Sequence, residues 1–344
     1  MALVAAAYLG SACDQGERVL DGSTTPLHVV AAYPAPDEGV ACVGDPSCEG
    51  VPLNLAIELR FDRYLDPSSA VRQSLRLQAG SGGPIVFLTP SYDVVERVVR
   101  FRQEPGARLQ PSTLYTVELI AEAGAGFRAF DGAALEHGAI PERYHFYTGT
   151  QDAEDPPAPP VTSCSDVLRI FSGGQAGCVS CHQSSEAGIG GCPPGQAPDP
   201  SFPDECVGVP RQGLDLSSRA GLERTAVFQV AHQTEIGPSA GTPLTNPSRV
   251  GVQMPLVHPN NPGNSYLLYK LLRNPSNFAT QQTSAYRVGL GGQRLLASDD
   301  ERERLREWFV RGEPMPAGGY SLSLAEVRAI QRWIQNGAET ESCR

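Results

Sequence analysis

The chain has 344 residues, 38 acidic against 27 basic side chains and a formal net charge of −11, with 36 glycines and 30 prolines. A length of this order predicts two domains, each able to bury a core. The acidic balance, with no basic cluster, excludes a nucleic-acid-binding or polybasic membrane surface and points to basic partners. The Gly and Pro content stays below that of low-complexity chains and predicts a loop-rich globular protein.

Residues 1–13, MALVAAAYLGSAC, are the one apolar run near a terminus. The run is too short to span a bilayer. It matches the apolar core and small-residue end of an export signal peptide, without the basic stretch that usually precedes one. Leu9-Gly10-Ser11-Ala12-Cys13 resembles the lipobox of bacterial lipoproteins, which makes Cys13 the expected lipidation site, residues 14–24 a tether, and a membrane the expected anchor. An incidental cysteine in an ordinary apolar N-terminus is the alternative.

From Leu53, the sequence LNLAIELRF sets Leu53, Leu55, Ile57, Leu59 and Phe61 on one side and Asn54, Ala56, Glu58 and Arg60 on the other, the alternation of a half-buried strand. Shorter segments of the same kind follow at Arg97–Phe101, Leu114–Ile120 and Tyr144–Gly149, divided by Pro, Gly and Asp turns, which predicts a β-sandwich. The segments VVAAYPAPDEGV, IELRFDRYLDPSSA, LQPSTLYTVEL and YHFYTGT resemble a bacterial Ig-like domain of the surface-protein type, over residues 25–150. The resemblance implies an all-β sandwich acting as a spacer or binding module. His28, His137 and His145 are scattered through it and predict no catalytic set.

Residues 151–163, QDAEDPPAPPVTS, read as a stiff, solvated linker. Beyond it, over residues 164–344, the periodicity turns helical: Val167, Ile170 and Phe171 share a face, and NSYLLYKLL follows at residues 264–272. Two later helices follow one specification 25 positions apart: Ser298 and Glu301 match Ser323 and Glu326 as capping boxes, Leu305, Trp308 and Phe309 match Ile330, Trp333 and Ile334 as an apolar face, and Gly312 matches Gly337 as a stop. The two tryptophans are read as packing residues.

Cys178-Val179-Ser180-Cys181-His182 holds two cysteines and a histidine in five positions. The spacing is that of c-type haem attachment: each thiol adds across a haem vinyl group, and His182 offers an axial nitrogen to the iron. The composition predicts about 0.004 such matches per chain by chance. A zinc site would call for further Cys/His ligands, and no second CxxC exists in the sequence. A thioredoxin-like dithiol would sit at a helix start after a strand, whereas this motif follows a short helix and a Gly-rich turn.

Nine cysteines are an odd number for an exported chain: Cys13, Cys42, Cys48, Cys164, Cys178, Cys181, Cys192, Cys206 and Cys343. Setting aside Cys13 and the motif leaves six, enough for three disulfides in an oxidising compartment. The local pairs Cys42–Cys48 and Cys192–Cys206 each close a small Pro/Gly/Asp-rich loop, and Cys164–Cys343 is the remaining pair.

A low-spin electron carrier needs a sixth ligand, usually Met or His. Met315, in a Pro/Gly-rich loop before the last helix, and Met254 are the internal methionines. His232, His258 or an open site are the other choices. CSDVLRIF, CVSCH, GLDLSS, HPNNPGNSYLLYKLL, MPAGG and LSLAEVRAIQRWIQNGA together resemble a class I-like monohaem c-type cytochrome domain of exported bacterial proteins. That resemblance implies a mainly α cytochrome c-like domain over residues 164–344, in which the first and last helices cross. It also implies one covalent haem c, with His182 and Met315 as axial ligands and Met254 as the alternative to Met315.

The expectation is thus an all-β Ig-like sandwich followed by a mainly α cytochrome c-like domain. Its role is one-electron transfer with redox partner proteins at the bacterial cell envelope, as an electron-transfer protein and not an enzyme. A haem enzyme or gas sensor with a labile sixth ligand is one alternative. A surface-binding or adhesion protein with an accessory haem is the other.

Overall fold

The structure is a computed structural model and describes residues 25–45, 48–80, 82–122, 125–154, 161–173, 177–183, 198–199, 202–206, 213–231, 254–274, 299–308, 310, 314–316 and 321–343. The expected lipidation site Cys13, the tether, the middle of the linker, Cys192 of the pair Cys192–Cys206, His232 and the capping residue Ser298 lie outside the described residues, as does the Trp308 side chain.

Two antiparallel four-stranded sheets are built from residues 29–147. One has the order β1 (Val29–Tyr33), β2 (Ile57–Phe61), β6 (Val98–Arg102), β5 (Thr89–Asp93), and the other β4 (Ile85–Val86), β3 (Leu75–Ala79), β7 (Leu114–Leu119), β8 (Arg143–Tyr147). Alternation sends Leu59, Phe61, Val99 and Phe101 of the first sheet and Leu77, Tyr115, Val117 and Phe146 of the second into one core. Phe127 packs its ring on Phe61 at 5.0 Å and on Phe101 at 6.2 Å. A small hairpin, β9 (Pro198–Asp199) with β10 (Phe202–Cys206), comes later in the chain.

Five α-helices are described after residue 160: α1 (Cys164–Ser172), α2 (Arg219–Thr225), α3 (Tyr266–Leu272), α4 (Asp299–Trp308) and α5 (Leu324–Gln335). The expectation of a sandwich followed by a mainly α cytochrome c-like domain is therefore corrected: the described chain is mainly β, with ten strands in three sheets against helices of seven to twelve residues. Local chemistry keeps the helices short. α3 follows the Pro262–Asn264 3-10 turn and stops just ahead of Asn274-Pro275, a dipeptide that disfavours helical backbone at its first residue. The apolar faces of the helices join the sandwich core without a break, so that Val167, Phe171, Leu268, Trp333 and Leu59 belong to one hydrophobic cluster.

The join is made by a hairpin tip. A four-residue turn between paired strands normally lies in solvent, yet in Val94–Arg97, which links β5 to β6, Val94 is 0 %, Glu96 7 % and Arg97 1 % exposed. Helices of the second half cover it. From α5, Arg328 reaches Asp93 at 2.8 Å and also pairs with Glu96, which holds Arg60 of β2 at 3.2 Å. From α4, Glu301 accepts the Tyr64 backbone N–H at 2.6 Å and lies 3.5 Å from Arg97, whose guanidinium stacks on the Tyr64 ring at 4.6 Å. Asp131 bridges Arg63 of the sandwich at 2.5 Å and Arg304 of α4 at 3.4 Å. Beside the edge strand β5, Gly263 admits Tyr92: a Cβ there would stand 2.8 Å from the ring carbon Cδ1.

One expectation changes as a result. β2 is not half-buried, because its polar face carries Glu58, paired with Arg100 at 2.5 Å, and Arg60, both under cover. Glu301 accepts the Tyr64 N–H, and its counterpart Glu326 caps α5 as expected: its Oε2 accepts both the N–H and the O–H of Ser323 at 2.7 Å.

Arg328→Met leaves Asp93 and Glu96 buried beside one another, and the full chain should lose about 3–5 kcal/mol of unfolding free energy in urea titration at neutral pH. Burial raises the Glu96 carboxyl above the usual glutamate range against the opposing pull of Arg328. A raised folded value means that the favourable contribution is complete below the unfolded value and is lost as pH rises through the folded one. The stability difference between wild type and Glu96→Gln should therefore move in favour of the wild type as pH falls from neutrality toward the usual glutamate range.

Candidate functional site

α1 begins at a capping box in which the Ser163 hydroxyl accepts the Asp166 N–H at 3.2 Å while Asp166 accepts the Ser163 N–H at 3.0 Å. Its first residue, Cys164, is disulfide-bonded to Cys343, and its face packs on α5, where Trp333 is buried and donates its indole N–H to the Glu339 carbonyl at 2.7 Å. The other disulfide joins Cys42 to Cys48 in the sandwich. Disulfides belong to chains of oxidising compartments, which fits an exported protein. No helix among the described residues is long and apolar enough to cross a membrane.

The chain leaves α1 and enters a 3-10 turn, Cys178–Ser180, capped by Cys181 and packed against α1. The Cys178 carbonyl accepts the N–H of Cys181 at 3.2 Å and that of His182 at 2.8 Å. In such a turn residues three apart are close neighbours. Four described cysteines are paired, and Cys178 and Cys181 carry free thiols. Cys178 and Val179 pack on the core, whereas Cys181 is exposed. Burial first, then the neighbouring Cys181 and Glu326 at the start of α5, push the Cys178 thiol up to about 11.

Among the described residues no group of three or more His, Cys, Asp or Glu side chains is placed to hold a metal ion. That corrects the expectation of a metal-binding, cytochrome c-like domain. Of what haem c would need from this motif, the structure shows two uncrosslinked thiols, one of them, Cys178, packed against the core.

The other predicted positions are dispersed. Met315 is half-buried against the core. Its N–H donates to the Lys270 carbonyl of α3 at 3.4 Å, and the next carbonyl, of Pro316, accepts from the Asn274 side chain at 3.1 Å. Met254 is 2 % exposed and its carbonyl accepts the Ala231 N–H. His258 is held through Nδ1 by the Asn264 amide at 2.9 Å, with Phe228 tilted against its ring. In the sandwich, His28 pairs with Asp62 at 2.8 Å, His137 lies 3.7 Å from Glu142, and His145 bonds Thr116 at 3.0 Å, each in a local surface contact. Sequence reasoning missed the contact of His182 with residues 213–218, where Leu216 donates its N–H to the His182 carbonyl at 2.8 Å.

No protein-family model matches the chain, and no curated protein matches it. Among solved structures, it is similar in part to domains 1–6 of the surface layer protein SbsC, at 10% identity over 41% of this chain and 15% of that one, with a TM-score of 0.25. It is also similar to CopC from Methylosinus trichosporium OB3b, at 16% identity over 38% of this chain and 98% of that one, TM-score 0.24. PcoC, a methionine-rich copper resistance protein from Escherichia coli, matches at 15% identity over 36% of this chain and 99% of that one, TM-score 0.25. The chain spans about 15% of the length of the surface layer structure. Likenesses of this size leave fold and function to the chain's own geometry.

The exposed Cys181 and the half-buried Cys178, packed on the core, should separate in alkylation. In full-length protein without haem, iodoacetamide should modify Cys181 about tenfold or more faster than Cys178. Peptide mass mapping over a time course reads the two rates, and both cysteines should react alike once the chain is unfolded in urea.

Proposed function

We propose that the chain is a single-haem protein that passes one electron at a time between partner proteins at the bacterial cell envelope, as an electron-transfer protein and not an enzyme. The observation that carries this reading is the motif's state. Cys178 and Cys181 are free thiols at a single turn, beside His182, in a chain that elsewhere forms the disulfides Cys42–Cys48 and Cys164–Cys343.

Cys178 and Cys181 would hold haem c by thioether bonds, and His182 would supply one axial nitrogen. When bound, haem c supplies a centre that takes up and releases one electron. Met315, half-buried against the core, would be the further residue to hold the group, with the buried Met254 as the alternative. A neutral thioether favours the ferrous state and raises the potential relative to a second histidine. The sandwich, clamped to the helices through its hairpin tip, serves as a rigid spacer, and a lipid on Cys13 would hold the assembly at a membrane. The acidic net charge suits basic redox partners.

Produced in a host with c-type maturation machinery, the wild type should give a pyridine haemochrome spectrum with one haem per chain. Cys178→Ser/Cys181→Ser should give none. The ferric protein should show the weak near-infrared band of Met-to-iron ligation, and Met315→Ala should abolish it while Met254→Leu leaves it in place. Haem-free wild-type protein from such a host would overturn the proposal.

A further inference from the structure

Residues 213–218, GLDLSS, touch the CxxCH turn through the Leu216 N–H and the His182 carbonyl, 2.8 Å apart. With its own N–H given to the Cys178 carbonyl at 2.8 Å, the His182 backbone is fixed on both sides. The grip on the carbonyl is only as firm as the segment that carries Leu216, and that segment is held by the preceding residue.

Asp215 is buried and engaged on every side. Its N–H donates to the Thr225 hydroxyl of α2 at 2.8 Å. Its Oδ1 accepts the Ser217 N–H at 2.9 Å and the Ser217 hydroxyl at 2.6 Å, which folds residues 215–217 into a side-chain-closed turn around Leu216. Its carboxylate lies flat on α2 at Gly221, where a Cβ would stand 2.6 Å from Oδ2 and 2.7 Å from Oδ1. A glycine inside a helix costs about 1 kcal/mol relative to alanine, and at this position it makes the close approach of Asp215 possible. The Thr225 hydroxyl, tied also to the Gly221 carbonyl at 2.8 Å, completes the lock between α2 and the turn. Leu216 is itself buried, so its N–H has no water to turn to if the His182 carbonyl moves away.

We propose that Asp215 is a positioning residue for His182: by locking Leu216 it fixes the backbone from which the imidazole would reach the haem iron, and so sets a single orientation of that ring. The proposal rests on the haem reading above. Asp215 acts on His182 through the Leu216 backbone hydrogen bond.

The test uses the full chain in two forms, haem-loaded and unloaded, with Asp215→Ala, Asp215→Asn and the isosteric Thr225→Val. Asparagine keeps the Oδ1 acceptor and the shape, so Asp215→Asn should behave as wild type. In the loaded ferric protein, wild type and Asp215→Asn should show one low-spin EPR species, while Asp215→Ala should show a broadened or split signal and a shifted midpoint potential at unchanged haem content. In the unloaded chain, Asp215→Ala should speed amide exchange at Leu216 by about tenfold or more, and Thr225→Val should do so to a lesser degree. Thr225→Val supplies the same two readouts where Asp215→Ala does not fold. Wild-type EPR and wild-type exchange in folded Asp215→Ala or in Thr225→Val would overturn the proposal, as would an Asp215→Asn protein as altered as Asp215→Ala. Absence of haem from the wild type sinks the haem reading instead, and with it the role of Asp215 toward iron, while the exchange measurement still decides whether Asp215 holds Leu216.

Discussion

The structure turns on the burial of the β5–β6 hairpin tip. Asp93, Glu96, Arg97, Arg60, Arg328 and Glu301 sit with little or no water around them, and a charge in that setting is tolerated only where opposite charges and hydrogen bonds meet it. Such networks add little net stability compared with an apolar contact of the same shape. Their value is in selection. One arrangement of α4 and α5 against the sandwich pairs every member. A slide of either helix by a turn, about 5.4 Å, would leave carboxylates and guanidinium groups buried and alone.

That selection reaches the CxxCH turn through a short series of contacts. Arg328 lies in the second turn of α5, and the Ser323/Glu326 box at the same end of the helix stands near Cys178. α1 packs on α5, and the Cys164–Cys343 disulfide ties the start of α1 to the segment just after α5. The 3-10 turn packs on α1, and residues 213–218 fasten the His182 carbonyl. A defect at the hairpin tip would therefore be felt at the thiols, although no residue of the tip is part of the motif. The sandwich acts as the template on which the motif's helices are set, which is a stronger role than that of a spacer on a string.

What could be read from the sequence follows the range of each interaction. The strands at Leu114–Leu119 and Arg143–Tyr147 were legible because one sheet face is apolar and the other wet, giving a period of two. The same rule misread β2: Glu58 and Arg60 alternate as solvent-facing residues do, and the Arg328 that covers their neighbourhood lies more than two hundred residues away, where no local pattern can announce it. Of the two S-x-x-E boxes, the Glu326 cap was legible, whereas the bond that Glu301 accepts from a backbone N–H of the sandwich was not. The CxxCH turn was legible because its chemistry is contained within five residues. Asp215 was not, although Gly221 inside an otherwise helical stretch was an available signal: a glycine there costs helix stability and implies a close neighbour.

The half-burial of Cys178 bears on which chemistry the motif can serve. A dithiol oxidoreductase works through a thiolate, and its nucleophilic cysteine is found in electropositive surroundings that lower its pKa. A zinc site also needs thiolates, aimed at one point. Cys178 instead packs half-buried on the core with Glu326 of α5 near it, where a negative sulfur is disfavoured, and among the described residues the motif belongs to no group of three or more metal-ligating side chains. A thioether carries no charge and can be buried against an apolar surface without a desolvation cost of that kind. The proposed addition of the thiols to vinyl groups leaves no charge on Cys178, and the more exposed Cys181 is the sulfur open to solvent.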